Sequence, residues 1–258
     1  MQSKLSFDLD KLYIVTDFDH TLTTKNSQNC WGVLSSIPNV DKEYIKRSIQ
    51  NNNYYLPIEQ NDKLDYKIKN KAMQKWYTNH VNMLIQYNIK ESQINEVGQS
   101  TSIILREGVT EFLRFTNENN IPVIIVSAGI SNIIENVLKQ NNCFYNNVYI
   151  ISNIFKFKDG QIRSLRNKII HSLNKSKIEL PIKIKEILKN KDEVIILGDN
   201  IDDSKVYLKE NKKTLKIGFL NYDDYNKLKN FKKQFDIVYS PNSTFINLLN
   251  LLAQNRCS

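Results

Sequence analysis

The stretch Ile14–Thr24, IVTDFDHTLTT, runs an apolar segment directly into two aspartates one residue apart, Asp17 and Asp19, with the hydroxyl of Thr21 just beyond. A carboxylate beside a hydrophobic strand is costly unless something pairs with it. The stretch is therefore either a solvated strand end or a place where a cation sits. Residues far along the chain decide between the two.

The same pattern recurs. LYIVTD (12–17), IPVIIVS (121–127), EVIILGD (193–199) and DIVYS (236–240) are short, continuous and rich in β-branched residues. Strands buried on both faces of a parallel sheet read this way. YIISN (149–153) and TLKIGFL (214–220) are further strands, and FKFKDGQIR (155–163) predicts a hairpin around Asp159–Gly160. Helical patterning over 107–119, 131–141, 202–210 and 243–252 separates most of these runs. Alternation of this kind predicts a doubly wound α/β fold. The segment 25–105 breaks it: polar, helical in pattern, with one long helix expected through LDYKIKNKAMQKWYTNHVNMLIQY (64–87). We expect a catalytic core made of 1–24 and 106–258, with 25–105 forming a helical cap inserted after the first strand.

Bulk properties narrow the function. With 258 residues, 41% hydrophobic and 24% charged, the chain reads as an ordinary globular protein. Cys30, Cys143 and Cys257 are scattered, without a CxxC pair or histidine cluster, which argues against a zinc site or disulfide framework. No apolar run approaches a membrane span, and the first residues lack the apolar core of a secretory signal. A cytoplasmic monomer is the expectation. The net charge of +9 invites an anionic partner. The lysines are dispersed among asparagines rather than gathered into a stripe with stacking aromatics, so a small phosphorylated ligand fits better than nucleic acid.

In open α/β sheets ligands bind beyond the carboxyl ends of the strands. There this sequence places Asp17 and Asp19 after the first run, Ser127, Ala128 and Gly129 after the second, and Gly198 and Asp199 after the third, with Asp203 four residues on. Any one of these sites is an ordinary turn or helix cap. Together they crowd carboxylates whose repulsion a hard cation would remove, and Mg²⁺ suits carboxylates, waters and a phosphate. Lys175, in IIHSLNKSK (169–177), lies between the second and third of these strand ends and could reach the same pocket.

This arrangement resembles the haloacid dehalogenase superfamily of phosphotransferases. Asp17-Phe18-Asp19-His20-Thr21 matches its DxDxT signature, Ser127 its second motif, Lys175 its third, and Gly198-Asp199 with Asp203 its GDxxxD. Within that superfamily TDFDHTL, LREG, IPVIIVSAG, SN (152–153), IIHSLNK, ILGDNIDD, KIGFLN and FDIVYS are similar to the cytosolic 5′-nucleotidase III, or pyrimidine 5′-nucleotidase, family. The similarity runs from about Lys11 onward and thins in the insert, where YYLPIE (54–59) and KWYTNH (75–80) remain. Three positions depart from the family pattern. His20 stands for a methionine, Asp202 for a glycine, and Tyr54–Tyr55 lie one residue further from Glu59.

The resemblance implies a HAD-like Rossmannoid core and a Mg²⁺-dependent phosphoric monoester hydrolase acting on nucleoside 5′-monophosphates, CMP and UMP foremost. It makes Asp17 the nucleophile and Asp19 the general acid and base. Mg²⁺ ligands are Asp17, the Asp19 main-chain carbonyl and Asp199. Ser127 and the Ala128 amide hold phosphate, Lys175 neutralises it, and Asp203 and Thr21 support from behind. Glu59 and Tyr77 are the residues of the insert expected to read the base. Within the same chemistry 7-methylguanosine monophosphate, phosphoserine or a sugar phosphate are alternative substrates. A non-catalytic binding protein is a different class, and four intact motifs speak against it.

Overall fold

The computed structural model describes residues 6–61, 63–99, 102–222 and 225–254. Along the chain the strands are β1 (Leu12–Thr16), β2 (Val123–Ile130), β3 (Val148–Asn153), β4 (Phe155–Lys158), β5 (Gln161–Leu165), β6 (Glu193–Gly198), β7 (Lys213–Phe219) and β8 (Ile237–Tyr239). The helices are α1 (Lys42–Gln60), α2 (Tyr66–Gln86), α3 (Glu91–Gly98), α4 (Val109–Glu118), α5 (Ser131–Gln140), α6 (Ile182–Ile187), α7 (Tyr225–Gln234) and α8 (Ile246–Ala253).

Six strands form one parallel sheet in the order β3-β2-β1-β6-β7-β8. The chain leaves β1 toward β2 and β3, then returns to the other side of β1 with β6. That reversal opens a crevice at the carboxyl ends of β1 and β6, where α/β sheets take their ligands. Alternate residues of the central strands face opposite layers. Ile14, Ile125, Ile195 and Ile217 pack in one cluster with Phe112, Ile134 and Leu248 of α4, α5 and α8. Tyr13, Val15, Ile124, Val126 and Ile196 face the other way, against Ile184 and Leu188. Burial on both faces is why these strands are continuous apolar runs. β8 departs from that expectation: its three residues are only half-buried, because it closes the sheet as an edge strand.

The helix expected over 202–210 is not there. A short 3₁₀ turn spans Ile201–Lys205, and the chain then runs on irregularly. Val206 is buried, Tyr207 exposed, and Leu208 again packs on the core. Alternation of that kind suits extended chain and cannot serve a helix of period 3.6. The hairpin β4–β5 forms as expected. Asp159 and Gly160 both have positive φ, 53° and 70°, as a two-residue turn of the primed type requires.

Between β1 and α4 lie a 3₁₀ turn, Gly32–Ser36, and the three helices α1, α2 and α3. Asp41 and Asp65 begin α1 and α2 by accepting from the amides of Glu43 and Lys67. The inner ends of these elements share the core of the sheet: Leu34, Ile37, Tyr44, Leu84 and Ile94 belong to the same apolar cluster as Ile14. The outer part has a small cluster of its own, where Tyr55 of α1 and Met73 of α2 meet Leu173, two residues before Lys175. Among the described residues no helix is long and apolar enough to cross a membrane. Cys30 and Cys143 are buried free thiols, and Cys257 lies outside the described residues.

Candidate active site

Asp17 is set by the sheet itself. Its amide donates to the Leu197 carbonyl at 3.0 Å, one rung beyond the β1–β6 ladder. Its Oδ1 accepts from the Phe18 amide at 2.7 Å, and its Oδ2 lies 2.7 Å from Lys175 Nζ. The chain then turns sharply. His20 adopts φ 59°, its amide donates to Thr23 Oγ1 at 2.7 Å, and the Phe18 carbonyl accepts from Leu22 and Thr23. This coil turns the Asp19 side chain toward Cys30, whose amide donates to Asp19 Oδ1 at 3.0 Å.

The ends of β2 and β6 bring the next groups. Ser127 is buried, and its Oγ accepts from the Gly129 amide at 3.0 Å. A side chain at Gly129 would press on Cys30 Sγ at 2.8 Å, so the backbone there passes close beneath the first loop. At Gly198 a Cβ would fall 2.2 Å from Asp203 Cβ. Glycine is what lets the 3₁₀ turn fold back and lay Asp203 against the strand end. There Asp203 Oδ1 accepts from Lys175 Nζ at 2.9 Å and Oδ2 from the Asn200 amide at 3.0 Å.

Lys175 therefore stands between two carboxylates, with 3% of its surface exposed. Burial alone would lower its pKa, but the charges of Asp17 and Asp203 outweigh that and hold it raised. One ammonium does not neutralise the cluster. The carboxylate oxygens of Asp17, Asp199 and Asp203 lie within 4.8 Å of one another. Burial and the charge of Asp17 push Asp19 up to about 7. Burial pushes Asp203 up to about 6 against the pull of Lys175. Asp199 rises well above the carboxylate range through burial and the neighbouring Asp17 and Asp203. Such crowding is relieved by protons or by a cation. The donors are all oxygen, with no imidazole in the cluster, which is the chemistry that suits a hard divalent ion. Asp17 and Asp199 face the cleft whereas Asp203 is buried behind it, which leaves Asp17 and Asp199 as the carboxylates better placed to ligate it.

Asp17, Asp19, Ser127, Ala128, Lys175 and Asp199 line one cleft of about 860 Å³, and Glu59 and Tyr77 line it too. Thr21 and Asp203 are buried behind the floor. Thr21 Oγ1 reaches Asp199 Oδ1 at 3.4 Å, while the turn of the first loop is closed by Thr23 and by main-chain bonds to Phe18. The upper wall is aromatic. Trp31 donates through Nε1 to the Ala128 carbonyl at 2.8 Å and meets Tyr77 edge-on, with ring centroids 5.2 Å apart. Glu59 Oε1 accepts from Ser172 Oγ at 2.5 Å, so the insert touches the loop that carries Lys175. His20 keeps its ring at the Thr24 carbonyl, 3.4 Å away, and Asp202 pairs with Lys205 at 2.6 Å.

Three residues with no role assigned from sequence are built into this site. Trp31 is the first. Asn153, at the end of β3, ties the loop after β2 to the segment that leads to Lys175: its Nδ2 donates to the Ala128 and Ile170 carbonyls, each at 2.8 Å. Arg106 is buried and donates to the carbonyls of His20 and Thr21 at 2.8 and 2.9 Å. The signal for Asn153 was its place at a strand end. Arg106 stood in LREG, one of the stretches that carry the resemblance, but its partners are far away in the chain and gave it no role.

Comparison with known proteins agrees with this geometry. Residues 14–254 match the model of the family described as pyrimidine 5′-nucleotidase (UMPH-1). A human relative named 7-methylguanosine phosphate-specific 5′-nucleotidase is 31% identical over 255 residues, which cover 95% of this chain and 85% of that protein. Among solved structures, cytosolic 5′-nucleotidase IIIB bound to cytidine superposes with a TM-score of 0.89 at 24% identity, over 96% of this chain and 87% of that one. A substrate-bound phosphoserine phosphatase shares the HAD fold more distantly, with a TM-score of 0.58 at 19% identity over 93% and 97% of the two chains. A parallel sheet with these motifs at its strand ends, matched along nearly its whole length, makes this chain a member of the pyrimidine 5′-nucleotidase (UMPH-1) family, phosphoric monoester hydrolases of the HAD type.

Proposed function

We propose that this chain is a Mg²⁺-dependent, cytoplasmic, monomeric 5′-nucleotidase that splits nucleoside 5′-monophosphates, CMP and UMP among them, into nucleoside and phosphate. The observation that carries the reading is the pairing of Lys175 with Asp17 at the floor of the cleft, beside Ser127 and Asp199. Asp17 is the nucleophile. Its carboxylate oxygen forms a bond to phosphorus as the bond from phosphorus to O5′ breaks, and the Asp19 carboxyl gives its proton to O5′. The nucleoside leaves. Asp19 then takes a proton from water as the water attacks the aspartyl-phosphate, releasing phosphate and restoring Asp17. Ser127 Oγ and the Ala128 amide hold phosphate oxygens, and Lys175 offsets their charge. Asp17, Asp199 and the Asp19 carbonyl would hold Mg²⁺, which supplies further neutralisation of phosphate charge when bound. Asp203 and Thr21 act from behind, on Lys175 and Asp199.

The insert, residues 25–105, acts as the cap and reads the base. Tyr77 and Trp31 offer ring faces and edges to a nucleobase, a kind of contact worth about 1–3 kcal/mol per stacked base. Glu59 accepts from an exocyclic amine or ring N–H. A specific observation favours a second substrate, 7-methylguanosine 5′-monophosphate. Glu59 lies close enough to Tyr77 for its charge to act on the phenol, so the wall combines a carboxylate with aromatic rings. A cationic base gains charge attraction from both, whereas a neutral pyrimidine gains the stacking and the hydrogen bond without it. Human and other relatives carry that nucleotide in their names.

The experiment is phosphate release by wild type and Glu59→Gln from CMP, UMP, 7-methylguanosine monophosphate and the base-free ribose 5-phosphate. Nucleotide turnover should fall in the variant, most for the methylated purine, with ribose 5-phosphate nearly unaffected. Equal losses on all four substrates would remove base reading from Glu59.

A further inference from the structure

Behind the acidic cluster lies a second layer of polar contacts. Arg106, 4% exposed, follows the insert, and Asn221 follows β7. Arg106 Nη2 donates to Asn221 Oδ1 at 2.6 Å and to the His20 carbonyl at 2.8 Å. Its Nε donates to the Thr21 carbonyl at 2.9 Å, and Nη1 reaches the carbonyls of Pro241 and Ser243 at 3.1 and 3.3 Å. The guanidinium also rests 4.7 Å from the Phe219 ring centroid. Asn221 Nδ2 in turn donates to the His20 carbonyl at 3.0 Å and to Asp199 Oδ2 at 3.2 Å.

The chemistry of these groups leaves one arrangement. A guanidinium has only donors, so it must take the oxygen of the Asn221 amide. The NH₂ end is then turned toward two acceptors, the His20 carbonyl and Asp199. Asp199 Oδ1 faces Thr21 Oγ1, so Asp199 is held at both oxygens. The charge of Asp199 also reaches this buried cation. Arg106 thus touches the backbone of the loop carrying Asp17 and Asp19 and, through one amide, the orientation of Asp199.

We propose that Arg106 and Asn221 form a single positioning relay that locks the 19–21 loop and the Asp199 carboxylate in one relative placement, ready for a divalent cation. The inference rests on the Mg²⁺ reading of the cluster. Arg106 acts through Asn221 and through two carbonyls, and neither residue is a catalytic residue. A second consequence is that asparagine at 221 is chemically required. Aspartate there would keep the Arg106 contact and set an oxygen against both the His20 carbonyl and Asp199.

The test uses Mn²⁺ as the probe, with free Mn²⁺ read by electron paramagnetic resonance during titration of wild type, Asn221→Ala, Asn221→Asp and Arg106→Lys. Thermal midpoints are measured alongside, and titrations are run well below them. Partners of this kind typically set metal affinity by about 10–100-fold. Asn221→Ala should weaken Mn²⁺ binding by about tenfold. Asn221→Asp should weaken it further, although it is the closer isostere, with the nucleotide KM at saturating metal within about twofold of wild type. A merely structural pair would lower the thermal midpoint and leave Mn²⁺ affinity unchanged, which would overturn the relay. Binding as tight in Asn221→Asp as in wild type would overturn it as well. Should wild type itself bind no Mn²⁺, the metal reading fails and takes the relay with it. Should wild type bind and both Asn221 variants bind equally well, only the relay fails.

Discussion

Lys175 Nζ lies 2.7 Å from Asp17 Oδ2 and 2.9 Å from Asp203 Oδ1, buried with both of them. Removing the ammonium leaves two carboxylates in low dielectric without their partner, at a cost of about 3–5 kcal/mol. Lys175→Ala should therefore lower stability visibly. It should also lower kcat by about 10²–10³-fold, the usual loss when a fixed donor to a developing oxyanion is removed. Lys177, two residues on, is exposed and sits over the Tyr66 ring at 4.9 Å. Lys177→Ala should stay within about 0.5 kcal/mol and near wild-type rate. Equal effects at the two positions, by denaturant melts and initial rates, would mean that the buried ammonium has no special role.

The close approach at Gly198 makes a different prediction. A methyl group there would meet Asp203 Cβ at 2.2 Å, so backbone or turn must move. Gly198→Ala should cost about 1–3 kcal/mol, the range for overpacking. Because Asp203 is the group displaced, activity should fall more than stability alone explains. Urea midpoints and kcat measured on the same preparation check this.

Two buried histidines should withdraw stability in mild acid, against the raised carboxylates Asp19, Asp199 and Asp203, which act in the opposite sense over the same range. Burial lowers His80 and His171 from the ordinary imidazole value of 6.5 to about 4. Between those limits these imidazoles take up protons in the unfolded chain and refuse them in the folded one, so their contribution to stability rises with pH across the window and is flat above about 6.5. Each histidine contributes a slope of about 1.4 kcal/mol per pH unit there. From pH 7 to pH 5 the thermal midpoint of wild type should fall relative to that of His80→Gln, although the variant loses packing. An unchanged slope in that variant would show that His80 titrates normally.

Metal removal addresses the acidic cluster directly. With Asp17, Asp199 and Asp203 within 4.8 Å, a bound cation stabilises the folded state by mass action. Exhaustive chelation should abolish phosphate release and lower the thermal midpoint, and added Mg²⁺ should restore both. Full activity after chelation would remove the metal from the account.

Much of this architecture is readable in the chain itself, for physical reasons. Strands buried on both faces must be apolar throughout, so β1, β2 and β6 announce themselves. The residues that follow them, Asp17, Ser127 and Asp199, stand out because two carboxylates and a hydroxyl at the ends of buried strands need partners. What depends on distant partners is hidden. Arg106 meets Asn221 across 115 residues, and no local pattern records that contact. The segment 202–210 misleads because its lysines and leucine suit a helix, while Val206 and Leu208 are needed on one side of an extended chain. The edge position of β8 and the sharing of one core by Tyr44, Leu84 and Ile14 are likewise properties of assembly, not of any one stretch.

The proposed reaction rests on Asp17 carrying the phosphoryl group. The most direct measurement is steady-state phosphate release from CMP, UMP and 7-methylguanosine monophosphate in saturating Mg²⁺, comparing wild type with Asp17→Asn at matched folded concentration. An amide cannot form the acyl phosphate, so the variant should bind nucleotide and fold normally yet turn over at less than about a hundredth of the wild-type rate, a loss beyond the lower end of what acid–base assistance alone supplies. Asp17→Asn working at more than about a hundredth of the wild-type rate on any of the three would contradict the covalent route and the role given to Asp17.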